Sequence, residues 1–182
     1  MASKYSKYGI LSVVVTIILV LDQYTKHLVH SRFRWGESLP IFDEFFALTY
    51  VRNTGAAFGL FQKAPAILRE PFFIAVPIIA MFVIVVLFIR LSRDQKMTAM
   101  ALSLILSGAV GNLIDRLRFG FVIDFLDFHW KEVYHWPAFN VADSAIVIGV
   151  SLIFLLSLGK GKGCVAEVNS GLTESKKIST NS

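Results

Sequence analysis

The chain has 182 residues, of which 55% are hydrophobic and only 17% charged. Soluble domains carry roughly 25% charge, so this composition excludes a disordered chain and argues against an ordinary soluble enzyme. With a mean hydropathy of +0.62 it reads as a small integral membrane protein.

The formal net charge is +5. Lys and Arg are scattered, without the stripe or run of a nucleic-acid surface, so no nucleic-acid partner is expected. One cysteine, Cys164, leaves no internal disulfide and no multi-Cys metal site.

A membrane-spanning helix needs about 18 to 20 apolar residues, and four segments qualify. The first is Tyr8 to Leu28. Its uninterrupted apolar run, Gly9 to Leu21, is too short to cross alone, so Asp22 falls inside its far end. A cleavable signal peptide is the competing reading, with Lys4 and Lys7 ahead of an apolar stretch. Asp22-Gln23-Tyr24 offers no small-residue cleavage site, so a retained helix is expected.

Val29 to Glu70 is long for a structureless connection. Phe45 to Val51 is strand-like in composition, Asn53-Thr54-Gly55 is a turn signal, and Ala56 to Phe61 could return as a second strand. Lys63 to Glu70 reads as a short helix at the membrane interface. The second span is Pro71 to Leu91 and the third Met97 to Ile114. Phe121-Val122-Ile123, within Phe119 to Phe128, could add a third strand. The fourth span is Pro137 to Leu158, and the Gly-, Ser- and Lys-rich residues from Gly159 to Ser182 read as a disordered tail. The expected fold class is membrane all-α with a small β element. One domain over 1–158 would hold a four-helix bundle capped by a sheet on the outer surface.

Four spans place both termini on one side. Basic residues divide nine and nine between the two sides, so the count is silent. Those on the terminal side lie in shorter segments and closer to span ends, which favours cytoplasmic termini. Ten of the 13 acids then fall on the outer side or in its membrane margin.

Ionisable residues inside spans are costly and mark either a functional site or a buried pair. Asp143, about six residues into the expected fourth span, would lie roughly 9 Å below its outer edge. Asn140 and Ser144 share that polar face. Asp124 is flanked by apolar residues in Phe121 to Phe128, and Asp127 reads as an ordinary loop acid. Two carboxylates brought close together cannot both ionise easily, so one retains a proton. Such a pair supplies a general base for water and a general acid for the leaving group. Asp124 and Asp143 are near enough in sequence to meet at the outer rim.

Asn112 and Arg116 share one face of the third span, where Ser107, Gly108 and Gly111 permit close helix approach. Arg116 could bind an anionic head group or pair with an acid. Asp22 and Lys26, also i and i+4, could be a structural ion pair or take a direct part. Asn53 could be only a turn residue beside Gly55. The four histidines lack the H-E-x-x-H spacing, and no G-x-S-x-G occurs. A proton-coupled small membrane transporter would also bury carboxylates, but near the midplane and in paired inverted halves, neither of which is visible.

Five motifs stand in order: Asp22-Gln23-Tyr24-Thr25-Lys26, Asn53-Thr54-Gly55-Ala56-Ala57-Phe58, Gly111-Asn112-Leu113-Ile114-Asp115-Arg116, Val122-Ile123-Asp124-Phe125 and Phe139-Asn140-Val141-Ala142-Asp143-Ser144. As a set, over Gly9 to Leu158, the chain resembles bacterial lipoprotein signal peptidase, also called signal peptidase II. That resemblance implies an intramembrane aspartic endopeptidase of the inner membrane. It would cleave diacylglyceryl-modified prolipoproteins just before the lipobox Cys, with Asp124 and Asp143 as the catalytic dyad. Asp22, Lys26, Asn53, Gly55, Asn112, Arg116 and Asn140 would shape the site and hold substrate. It further implies an outer β-cradle, a short interfacial helix, and no metal or organic cofactor. The expected partners are its prolipoprotein substrates and membrane lipids, and a monomer is expected.

Overall fold

The computed structural model describes residues 7–55, 65–131 and 134–158. In chain order they form α1 (Lys7–Arg32), β1 (Ser38–Phe42), β2 (Phe46–Asn53), α2 (Ala66–Arg90), α3 (Lys96–Phe119), β3 (Val122–Trp130), β4 (Tyr134–His135) and α4 (Val141–Leu158). The helices contain the four stretches long and apolar enough to cross a membrane, and the chain is a multi-pass membrane protein. Their outward faces are apolar: Val13, Ile17 and Val20 on α1, Ile79 and Phe82 on α2, and Val147 and Phe154 on α4 are all exposed. In lipid such faces need no polar cover, because each helix satisfies its own backbone.

α3 is the most buried of the four and packs against both α1 and α2. Its Ser103 and Ser107 hydroxyls donate to the carbonyls of Ala99 and Ser103 one turn back, so this face is small yet has no unmet donor. A methyl group on Gly111 would sit 2.6 Å from Oδ2 of Asp22, and one on Gly108 would overlap the Ala142 carbonyl oxygen. These two glycines bring α1 and α4 close to α3, as the spacing suggested.

The strands form an antiparallel sheet in the order β1-β2-β3-β4. It lies where α1 and α3 end and α4 begins. Val29, Tyr50, Ile123 and Phe125 form the core beneath it, with Phe33, Leu48, Phe119 and Phe121 around them. A register shift between Leu48 and Val51 brings Val51 opposite Asp124 on β3.

Several boundaries differ from those read in the sequence. β2 pairs with β1, upstream of it, which the sequence reading did not expect: every residue of β1 is exposed, and Pro40 interrupts the strand pattern. The return strand expected at Ala56 to Phe61 lies outside the described residues, as does the tail from Gly159 to Ser182. Ala66 onward is not a separate interfacial helix but the opening of α2. That helix starts after Pro65 and continues through Pro71 and Pro77. α3 runs five residues past Ile114, to a C-cap at Gly120 with φ of +77°, a conformation glycine adopts without strain.

The fourth helix begins at Val141 rather than Pro137. The residues before it are extended instead, lying beside β3. The Trp136 N–H donates to the Phe128 carbonyl, and Phe139 and Leu126 exchange backbone hydrogen bonds of 3.1 and 2.8 Å.

Candidate active site

The later start of α4 moves Asp143 from an interior position to the first turn. Asn140 is the N-cap, and its Oδ1 accepts from the Asp143 N–H at 2.9 Å. Asp143 answers with Oδ2, which accepts from the Asn140 N–H at 3.3 Å. This is the reciprocal arrangement of a capping box. The estimate of roughly 9 Å below the outer edge is therefore corrected, because four residues assigned to the helix belong to the sheet margin.

Asp124 reaches the same place from β3, with its carboxylate buried. Its Oδ1 accepts from Nδ2 of Asn140 at 2.7 Å and its Oδ2 from Nδ2 of Asn53 at 2.9 Å. Asn140 therefore bridges the two acids, its amide on Asp124 and its backbone N–H on Asp143. Asn53 ends β2, and its Oδ1 accepts from the buried Gly55 N–H at 3.1 Å. It is both a turn residue and a donor to the acid. Burial is the main force holding the Asp124 carboxyl above the usual carboxylate range, at about 7, with the nearby Asp143 charge adding to it. The amides of Asn53 and Asn140 and the Lys26 charge pull the other way. Asp127 points elsewhere, accepting from the Thr49 hydroxyl at 2.9 Å, as strand alternation requires for a residue three along.

Behind the acids lies a buried polar cluster. Lys26 Nζ sits 2.9 Å from Asp22 and 3.0 Å from Asp115, and donates to Oδ1 of Asn112 at 2.9 Å. All three of its hydrogens have acceptors, which is what a buried ammonium demands. Asp22 also accepts from the Ala142 N–H, tying α1 to the start of α4. Asp115 accepts from the Ile123 N–H, tying α3 to β3. Asn112 carries the network forward, its Nδ2 donating to Oδ1 of Asp143 at 2.7 Å. The Asp22–Lys26 pair is thus a structural ion pair that also touches the site's framework. Arg116 lies over the ring of Phe73 on α2, 5.4 Å from its centre, within electrostatic reach of Asp143, Asp124 and Asp115.

All nine residues singled out in the sequence lie at this end of the bundle. Sequence reasoning missed two contributors to this end of the bundle and one buried cation elsewhere. Gln23 donates to Asp22, to the Gly111 carbonyl and to Asp115. Tyr50 is buried beneath β2, its hydroxyl 2.6 Å from Nδ1 of His30. Lys7, at the opposite end, donates to the carbonyls of Phe88, Ile89 and Leu91 and caps α2. Only Gln23 carried a signal, since it sits on the α1 turn that holds Asp22 and Lys26. Among the described residues, no three His, Cys, Asp or Glu side chains gather as a metal-binding group.

The model of the family described as "Signal peptidase (SPase) II" matches residues 14–159. The chain belongs to the signal peptidase II family. It is similar to the lipoprotein signal peptidase of Geobacter metallireducens, 53% identical over 148 residues that cover 81% of this chain and 90% of that one. It is also 54% identical to that of Geobacter sulfurreducens, over 80% of this chain and 89% of the relative. A solved structure described as a bacterial membrane enzyme, at 2.3 Å resolution, superposes with a TM-score of 0.75 at 33% identity, covering 84% of this chain and 90% of its own. A second such enzyme, at 1.9 Å, gives 0.72, also at 33% identity, over 82% and 93%. Signal peptidase II membership makes the chain a peptidase and leaves the transporter reading without support.

Proposed function

We propose that this chain is an aspartic endopeptidase of the inner membrane that matures lipoproteins. Its substrates are diacylglyceryl-modified prolipoproteins, and the bond cleaved is the one before the lipidated Cys. The observation that carries the reading is the convergence of Asp124 and Asp143, from separate elements, on one asparagine bridge. One carboxylate takes a proton from water as the water oxygen bonds to the peptide carbonyl carbon, and the other gives its proton to the carbonyl oxygen. The C–N bond then breaks as a proton passes to the departing amine. The signal peptide leaves with a new carboxyl group, and the lipidated Cys has a free amine.

The site lies at the extracytoplasmic margin, with both termini cytoplasmic, in a monomer. There the acyl chains of the substrate remain in lipid while the scissile peptide meets water. Asn53, Asn112 and Asn140 hold the dyad, Asp22, Lys26 and Gly55 hold those asparagines and their turn, and Arg116 faces the substrate.

The test is cleavage of a purified, lipidated prolipoprotein in detergent by wild type, Asp124→Asn and Asp143→Asn. Both variants are expected to fold and to lose cleavage by at least about a thousandfold, as removal of an acid or base requires. Near-normal cleavage by either one removes that aspartate from the dyad.

A further inference from the structure

A dyad that shares one proton needs something to decide which member keeps it. The three asparagines around it are each fixed in orientation from behind. Asn53 Oδ1 accepts from the Gly55 N–H and Asn140 Oδ1 from the Asp143 N–H, while Asn112 Oδ1 accepts from the Lys26 ammonium. An amide whose oxygen is held this way must present its N–H groups to the acids. All three do so, at 2.9, 2.7 and 2.7 Å.

The two acids nevertheless stand in different surroundings. Asp143 is the third residue of α4, where the free N–H groups of a helix start favour negative charge. Its amide donor, Asn112, is held directly by the Lys26 cation. Asp124 lies on a strand, has no helix start of its own, and takes its amide donors from Asn53 and from Asn140, whose Nδ2 is shared with Asn112 Oδ1 at 3.2 Å and the Ile123 carbonyl at 3.3 Å. It is also the more deeply buried of the two.

We infer that Lys26, acting through Asn112, is a positioning residue that stations the negative charge of the dyad on Asp143 and leaves the proton on Asp124. The inference rests on the aspartate-dyad reading above. It assigns the roles: Asp143 takes the proton of water, and Asp124 protonates the carbonyl oxygen. As the C–N bond breaks, the proton held by Asp143 goes to the amine and Asp124 recovers one from the gem-diol, so the starting state returns. The charged groups around the pair are Lys26 and Asp22 from α1 and Asp115 and Arg116 from α3. β2 contributes the neutral Asn53.

The test is the pH profile of kcat/KM on a lipidated prolipoprotein peptide. Asn112→Ala removes a donor to the Asp143 anion, so the acid limb moves up by about one pH unit and the alkaline limb stays. Asn53→Ala removes a donor to Asp124, so the alkaline limb moves up by a similar amount and the acid limb stays. Lys26→Gln moves the acid limb upward, and moves it less when Asn112 is already Ala. Limbs that move in the reverse assignment, or that stay put while activity falls, overturn the inference. If Lys26→Gln does not fold, the two asparagine variants still decide it. Cleavage surviving in Asp124→Asn or Asp143→Asn would remove the dyad itself, a separate failure.

Discussion

Replacing Lys26 by Met should be among the most damaging single changes outside the acids. The ammonium holds Asp22 at 2.9 Å and Asp115 at 3.0 Å, so those two carboxylate oxygens lie within 5.9 Å of each other. Both residues are buried. Without the cation they repel by about 3 kcal/mol at an effective dielectric of 20. That agrees with the roughly 3–5 kcal/mol lost when one partner of a buried pair is removed. For a chain of this size the loss lowers the unfolding midpoint by about 10 °C. Thermal unfolding in detergent, followed by tryptophan fluorescence, measures it. Lys26→Met with Asp115→Asn removes one of the repelling charges and should recover about half of the loss. A Lys26→Met midpoint within about 2 °C of wild type, a shift worth less than ~1 kcal/mol, would refute the reasoning.

Other expectations follow from the same geometry. Gly111→Ala should cost about 1–3 kcal/mol, because the new methyl meets the Asp22 carboxylate, whereas Gly9→Ala, with open space around it, should be neutral or stabilising in the same unfolding assay. Lys7→Met should cost about 1–3 kcal/mol by taking a buried donor from the carbonyls of Phe88, Ile89 and Leu91, and amide exchange at residues 88–91 should quicken. Asp124 should make stability pH-dependent. Its folded pKa of about 7 exceeds the ordinary 3.8, so below pH 4 it costs nothing. From pH 4 to 7 the unfolded chain ionises first and native stability falls. The stability gained by Asp124→Asn should therefore grow across that window and level off above pH 7. A gain that is the same at pH 4 and pH 8 would contradict this.

The spans were legible because apolar length is a property of composition alone. Their ends were not, and α4 shows why. Trp136 to Phe139 is as apolar as a helix start, yet β3 offers backbone partners that make the extended form better. Nothing within that segment signals β3. β1 was hidden for a related reason: its pattern is broken by Pro40, and among the described residues it pairs with β2 alone. The acids and asparagines stood out because polar residues are rare in apolar runs. What the sequence could not supply was their division of labour. Asp22 and Lys26 read equally well as ion pair or active group until Asp115 and Asn112, almost ninety residues away, were found on the same ammonium nitrogen.

The pairing of β2 with β3 has a consequence for how the protein is made. Val51 and Asp124 are register partners, yet α2 and α3 both lie between them in the chain. The strand pair closes a loop that contains two membrane crossings, a non-local contact of the kind that forms late. Asn53 cannot reach Asp124 until both helices have been inserted and have turned back. Asp143 arrives later still, on the last helix. A partly synthesised chain therefore holds Asp124 and Asp143 apart, and the proposed dyad assembles only once α4 is in place.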